Sequence, residues 1–166
     1  MVACEVCSGA PYNFRRSAFV LSSVGIAVNI ELKNYGSAAD GLALAQEVVS
    51  VTQTVWPQHR LPVLFSSVCE DVLASLYEID VQLPLGMVCS EVDEDAIRRA
   101  CRWGCLSIHG VHHSLDKDVV MRAKKAHLYL LAYTVNDLQR AQQLLSWGVQ
   151  AVFSDHPLAL KQVTSP

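Results

Sequence analysis

Short apolar runs alternate with amphipathic segments over most of this chain. From Gly25 onward, six runs rich in aliphatic and β-branched residues are each followed by apolar positions at helical spacing. The predicted strands are 26–30, 62–65, 85–89, 105–108, 128–133 and 149–153. Strands that are apolar on both faces and separated by helices predict a parallel sheet covered by helices.

The intervening segments predict five full helices and a short terminal one. These helices are 38–55, 70–78, a segment that starts in the acidic stretch 91–95 and reaches 103, 117–126, 137–147, and a segment from 157. Asn136 is placed to cap the fifth helix, and Gly104 and Gly148 are placed to end the third and fifth. Residues 1–24 show no clear period, so we predict an N-terminal lead-in followed by one domain over 25–166.

Two α/β architectures fit this alternation of strands and helices. One is an open doubly wound sheet, and the other is a (β/α)8 barrel. No glycine-rich phosphate loop follows any predicted strand, which disfavours a nucleotide-binding doubly wound domain. The hydrophobic period alone does not choose between the two.

Composition narrows the class of function. Hydrophobic residues make up 51% and charged residues 17% of the chain, which is typical of a globular protein. With a net charge of −3, no basic surface for nucleic acid is expected, and no apolar run is long enough to span a membrane. The six cysteines do not resemble a disulfide framework, so we expect reduced thiols in a cytoplasmic protein. Cys4 and Cys7 form one CxxC without a second pair, which indicates loose cysteines rather than a zinc ribbon.

Polar residues follow five of the six predicted strands, where a parallel barrel carries its chemistry. They are Asn29, Glu31 and Lys33; Ser66 and Ser67; His109, His112 and His113; Tyr133, Thr134 and Asn136; and Ser154, Asp155 and His156. Glu31 and Lys33 alternate, so both point to the same side of a strand. A carboxylate beside an ammonium suits a metal and a phosphate oxygen held together, although an ordinary strand-end ion pair has the same spacing.

Several motifs resemble those of the glycerophosphodiester phosphodiesterase family. The NIELK segment at 29–33 resembles the family's strand-three signature, and 64–67 resembles the end of its strand four. Residues 133–136, 147–149 and 153–157 are similar to its strand-seven and strand-eight closure, and 107–109 with 115–117 resembles bacterial cytosolic members. The resemblance covers roughly residues 25–160 in the family's order.

The resemblance implies an α/β fold of the (β/α)8 TIM-barrel family, present as an incomplete barrel of about six βα units, strands three to eight. It implies metal-assisted hydrolysis of a small-molecule glycerophosphodiester to sn-glycerol 3-phosphate and an alcohol. A divalent cation, Ca²⁺ or Mg²⁺, is held in the family by a strand-two Glu-x-Asp and the NIELK glutamate. Carried over, Glu31 is a metal ligand, Lys33 a catalytic residue that neutralises phosphate charge, and Tyr133 a glycerol-pocket residue. Ser67 and His109 are further expected pocket residues.

The chain departs from the family pattern ahead of Glu31. The family's His-Arg-Gly strand, Pro-Glu-Asn-Thr loop, Glu-x-Asp strand and His-Asp pair are not found in residues 1–24, which contain no histidine. Two histidines supply the family's general acid and base, and Glu31 alone is expected to hold a cation weakly. The Glu-x-Asp tripeptides at 78–80 and 91–93 are interpreted as solvated helix termini.

Two alternatives therefore stay open beside the enzyme. One is a truncated, non-catalytic remnant that binds phosphate at most, or needs another chain to close its barrel. Its open sheet edges would favour self-association. The other is a different phosphate-handling barrel, such as a phosphatidylinositol-type phospholipase. His109, His112 and His113 are interpreted as pocket-wall or surface residues rather than as replacements for the family's catalytic histidines.

Overall fold

The structure is a computed structural model that describes residues 2–7, 14, 27–56 and 63–160. Its strands are β1 Val2–Cys7, β2 Val28–Lys33, β3 Leu64–Ser67, β4 Leu85–Cys89, β5 Ser107–Val111, β6 Tyr129–Tyr133 and β7 Ala151–Val152. Its helices are α1 Ala38–Val55, α2 Glu70–Ile79, α3 Glu94–Arg102, α4 Lys117–Lys125 and α5 Leu138–Trp147, with a 3-10 turn at His112–Ser114. Most of the expected lead-in, and the starts of the first two predicted strands, lie outside the described residues.

The alternation of strands and helices is confirmed, with four corrections. Strand hydrogen bonding in β2, β3 and β5 continues two or three residues beyond each apolar run, into polar positions. The cap of α5 is Asp137, whose side chain accepts from the Arg140 amide, and not Asn136. Residues 157–160 form a turn rather than the start of a helix. The fourth correction is β1, a strand that the pattern did not predict.

The chain divides into two compact units, and the boundary falls within β4. In the first unit, β1, β2 and β3 run parallel in chain order. Leu32 is fully buried, as are Val72 and Leu73 of α2, which packs against α1. The helices therefore cover one face of this sheet, which leaves the residues that alternate with Leu32 on the other face.

In the second unit, β5, β6 and β7 also run parallel in chain order. Gly110 lies where the sheet meets its helical layer, since a Cβ atom there would come within 2.6 Å of Val92 Cγ2. Aspartates cap the three helices of this unit, each accepting a backbone N–H with its carboxylate: Asp93, Asp116 and Asp137. Because each cap follows a strand, the three carboxylates mark the carboxyl ends of β4, β5 and β6.

These features confirm the predicted fold class, an α/β fold of the (β/α)8-barrel family present as an incomplete barrel. Within each unit the parallel strands follow chain order, as they do in a (β/α)8 barrel. The described residues include seven strands rather than six, because Val2–Cys7 pairs with β2 in continuous parallel register from Val2↔Val28 to Cys7↔Lys33. Part of the expected lead-in is therefore a strand of the sheet.

A glycine ends α5 for a conformational reason that can be tested. Gly148 has φ +104°, in the left-handed region, and its N–H closes the helix on Leu144 and Leu145. A Cβ atom at this position would lie 3.5 Å from Val120 Cγ1, which is ordinary contact, so only backbone strain opposes a side chain. We expect Gly148→Ala to lower the free energy of unfolding by about 1 kcal/mol in urea titrations. Gly148→Asn is expected to lose less, and an equal loss for both variants would contradict this explanation.

Candidate functional site

Two carboxylates and one ammonium meet where β1 and β2 end. Lys33 Nζ lies 2.6 Å from Glu5 Oε1 and 3.8 Å from Glu31 Oε1. The parallel register makes Glu5 and Glu31 neighbours, with Cys7 beside Lys33. Alternation along each strand then directs all four side chains to the face that the helices do not cover. The expected pairing of Glu31 with Lys33 is present, but the shorter contact of Lys33 is to Glu5.

The electrostatics of this group follow from burial and from the unequal pairing. Burial raises the pKa of the Glu31 carboxyl, and Lys33 only partly offsets this effect. The hydrogen bond to Glu5 raises the pKa of Lys33, so the ammonium stays charged at neutral pH. Lys33 is therefore a fixed positive charge that is paired mainly with Glu5. The negative charge of Glu31 is only partly balanced by Lys33.

Sequence reasoning missed Glu5. The signal was present, because Val2, Cys4 and Val6 alternate with polar or small residues in the way a half-buried strand requires. The tripeptide Glu5-Val6-Cys7 also has the glutamate of a Glu-x-Asp pattern, with cysteine where the pattern has aspartate. β1 lies directly beside the NIELK strand, where the family's strand two is expected. Glu5 therefore stands beside Glu31 in the sheet, although the Glu-x-Asp pattern itself is not found in residues 1–24.

Two further polar side chains share this face and have unsatisfied oxygen atoms. Asn29 is two residues before Glu31 on β2, and Ser66 of β3 is the register partner of Glu31. Asn29 is 2% exposed and Ser66 is 0% exposed. Among the described residues, Asn29 Oδ1 and Ser66 Oγ are buried without a hydrogen-bond partner. Such atoms carry a desolvation penalty unless something binds them.

Ser67, an expected pocket residue, is instead fully engaged by the backbone. Its hydroxyl donates to Leu32 O at 2.7 Å and accepts from the Cys69 amide at 3.0 Å. Leu32 lies on the helix-covered side of the sheet, so these bonds tie the end of β3 to β2 and start the turn into α2. Side chains alternate between the two faces along β3, and the register pairs Ser66 with Glu31. Ser66, and not Ser67, therefore lies on the face that carries Glu31.

The other two expected pocket residues lie in the second unit. His109 of β5 is 2% exposed, its Nε2 lies 2.9 Å from Ser107 Oγ, and its ring contacts Phe153. Burial lowers the pKa of His109 to about 4, so the imidazole is neutral at physiological pH. Tyr133 donates its hydroxyl to Cys89 O at 3.0 Å, and Cys89 Sγ donates to His109 O. The strand ends of β4, β5 and β6 are thus linked through Cys89.

His112 and His113 stack on each other after β5, with ring centroids 3.7 Å apart. Burial and the neighbouring imidazole lower the pKa of His112. Arg140 of α5 donates to His112 O and to Leu115 O, and its guanidinium lies over the Trp147 ring. These contacts fix the turn that carries the two histidines. None of these contacts involves a ring nitrogen of either histidine, and their interpretation as wall or surface residues stays a prediction.

The donor set of the first unit decides what kind of cation it suits. No group of three histidine, cysteine, aspartate or glutamate side chains that could hold a metal occurs in the described ranges. Oxygen donors are nevertheless present, because Glu31 shares its face with the unsatisfied Asn29 Oδ1 and Ser66 Oγ. Carboxylate, amide and hydroxyl oxygens are the ligands that Ca²⁺ and Mg²⁺ prefer. These residues fit the expected hard cation.

None of the described helices combines the length and hydrophobicity that a bilayer crossing requires.

No protein with a curated description is similar enough in sequence to support a comparison. Solved structures are much more informative. A phosphodiesterase from Oleispira antarctica, in complex with the product sn-glycerol-3-phosphate, is 29% identical with a TM-score of 0.83, over 90% of this chain and 59% of that chain.

A glycerophosphodiester phosphodiesterase from Parabacteroides distasonis is 14% identical with a TM-score of 0.79, over 90% of this chain and 62% of that chain. The Thermotoga maritima glycerophosphodiester phosphodiesterase is 18% identical with a TM-score of 0.56, over 82% of this chain and 57% of that chain. The chain thus spans about three-fifths of the length of these structures. The sequence model of the glycerophosphoryl diester phosphodiesterase family matches residues 12–159, so this chain belongs to that family.

Proposed function

We propose that this chain acts as a glycerophosphodiester phosphodiesterase, which hydrolyses glycerophosphodiesters to sn-glycerol 3-phosphate and an alcohol in glycerophospholipid catabolism. The observation that carries the proposal is the Glu5–Lys33–Glu31 group at the strand ends of a chain that belongs to this family. The product named for the Oleispira antarctica structure gives independent support for the substrate class. The reduced cysteines of the sequence favour a cytoplasmic location.

Each member of the group has a definable task in this reaction. Glu5 orients the Lys33 ammonium, which is then placed to donate to a non-bridging phosphate oxygen and to neutralise its charge. Glu31 is the proposed ligand of a divalent cation, Ca²⁺ or Mg²⁺. Such a cation, when bound, would polarise the phosphoryl group as a Lewis acid. The pocket roles of Tyr133, His109 and Ser67 stay predictions, and the backbone hydrogen bonds of the Ser67 hydroxyl count against its own.

A second candidate is the non-catalytic remnant, and a specific observation favours it. No histidine precedes Glu31 in this sequence, whose first histidine is His59, so neither of the two histidines that serve as general acid and base in the family is assigned. In the remnant, Lys33 would bind phosphate without turning it over. Self-association that completes the barrel belongs to this candidate as well.

Hydrolysis of glycerophosphocholine or glycerophosphoethanolamine separates the two candidates. With added Ca²⁺ or Mg²⁺, we expect the chain to release sn-glycerol 3-phosphate, measured with a coupled dehydrogenase. Lys33→Met should lower kcat/KM by about 100-fold or more, because it removes the charge that binds the phosphate. Lys33→Arg should retain part of the activity.

The matched control is Lys124→Met, which removes an exposed ammonium from α4 and should leave kcat/KM unchanged. Absence of turnover at every metal concentration would overturn the enzyme proposal and favour the remnant. An equal loss for Lys124→Met and Lys33→Met would contradict the specific role of Lys33.

A further inference from the structure

Two buried oxygen atoms on the face of Glu31 have no hydrogen-bond partner among the described residues. Asn29 Oδ1 and Ser66 Oγ lie on neighbouring strands, and both residues are more than nine-tenths buried. The parallel register makes Ser66 the direct neighbour of Glu31. Asn29 lies two residues before Glu31 on β2, on the same face. Most buried polar atoms in folded proteins have a partner, so a pair of orphaned oxygens beside a carboxylate marks a place where a ligand binds.

The chemistry of the Glu31 carboxylate, Asn29 Oδ1 and Ser66 Oγ indicates which kind of ligand can bind between them. A carboxylate and an amide oxygen can only accept, and the hydroxyl oxygen of serine has lone pairs to offer. An anion such as phosphate would meet the Glu31 carboxylate, which has a charge of its own sign. The ammonium of Lys33 does not fill the position, because it lies 2.6 Å from Glu5 and 3.8 Å from Glu31. What fits is a cation that binds oxygen.

We propose that Asn29 Oδ1 and Ser66 Oγ are neutral oxygen ligands which, together with Glu31, hold a hard divalent cation of the Ca²⁺ or Mg²⁺ type. This inference rests on the proposed function, which implies such a cation, and it assigns two ligands that the carboxylate pattern does not include. Lys33 and Glu5 form a separate ion pair beside this set. The cation then has one charged ligand and two uncharged ones, so its binding is of low affinity.

Direct binding measurements test the assignment without any turnover. CaCl₂ and MgCl₂ are titrated calorimetrically into the full chain after treatment with EDTA. We expect one site on the wild type, with Kd in the range of about 10⁻⁴–10⁻³ M typical of weak sites. Ser66→Ala and Asn29→Leu should each raise Kd by about tenfold or more, and Glu31→Gln should abolish binding.

The matched control is Ser75→Ala, which removes a hydroxyl that is also buried and whose bond to Asp71 O lies within α2. This variant should bind the cation as the wild type does. Folding of the two site variants is expected to be intact, because each removes a buried atom that has no partner in the metal-free chain. Their thermal midpoints in EDTA should equal or exceed that of the wild type, while the midpoint increase on adding CaCl₂ should be lost.

Three results would overturn the assignment. They are no binding by the wild type up to about 10 mM of either salt, unchanged Kd in both site variants, and loss of binding in Glu31→Gln alone. The last result would mean that the carboxylate holds the cation without the neutral oxygens. Failure of the proposed function is a different result, since a chain that binds the cation in this way and hydrolyses no diester would retain the site and lose only the enzyme proposal.

Discussion

Glu31→Gln is expected to abolish diester hydrolysis and, at the same time, to stabilise the metal-free protein at neutral pH. Loss of the carboxylate removes the charged ligand of the proposed cation, which should lower kcat/KM by about 100-fold or more. The stability effect has a separate cause. Burial raises the pKa of Glu31 in the folded chain, so ionisation of this group opposes folding.

The direction of the pH dependence follows from this raised pKa. The stabilising contribution of protonated Glu31 is fully present below the pKa of the unfolded chain, and it is lost as the pH rises through the higher folded pKa. Glutamine resembles the protonated form of glutamate and does not ionise, so its contribution to stability does not change over this pH range. Unfolding free energies of the variant and the wild type should therefore coincide at acidic pH and diverge, in favour of the variant, towards neutrality.

Urea titrations in EDTA across this pH range measure the effect. Glu47→Gln, on the exposed side of α1, is the control and should change the unfolding free energy by less than about 0.5 kcal/mol. A variant that is less stable than the wild type at neutral pH would show that the 3.8 Å contact with Lys33 outweighs the burial of Glu31.

Leu73→Ala is expected to lower the free energy of unfolding by about 2–5 kcal/mol. Leu73 is fully buried on α2, where the helix packs against α1. The two helices approach closely, since a Cβ atom on Gly41 would lie 3.3 Å from Val72 Cγ2. A layer packed this tightly is expected to leave a cavity where the leucine was, which adds to the lost burial.

The control for this experiment is Leu42→Ala on α1, because Leu42 is 39% exposed. Urea titrations of both variants should show a loss for Leu42→Ala that is a small fraction of the loss for Leu73→Ala. Losses of similar size would mean that the layer between the helices is looser than the structure indicates.

The sequence predicts the elements of this fold better than their ends. Helix α1 and strand β4 begin and end where the hydrophobic pattern places them. Strand β2 runs on to Lys33, because backbone pairing with β1 and β3 does not depend on whether the side chains are apolar. Strand β1 was not predicted, because its six residues include a glutamate and two cysteines and form no continuous apolar run.

The site was predictable where it depends on spacing along one strand. Glu31 and Lys33 are two residues apart, and their common side follows from the pleat alone. The choice between Ser66 and Ser67 depends instead on the register between β2 and β3, which the sequence does not contain. The alternation along 2–7 could have placed Glu5 on a strand, but only the pairing of β1 with β2 brings it to Lys33.

The aspartates that cap α3, α4 and α5 have an effect beyond the helices they start. Each stabilises a helix end by about 1 kcal/mol, and all three carboxylates follow the carboxyl ends of strands in the second unit. Under the proposed function, a phosphodiester anion near this edge would meet carboxylates of its own sign, each beside the positive end of a helix. Ions of the surrounding solution weaken that repulsion over distances of about 8–10 Å at physiological ionic strength. The side chains that secure the helix ends therefore also set part of the charge at this edge, and salt is expected to weaken that part.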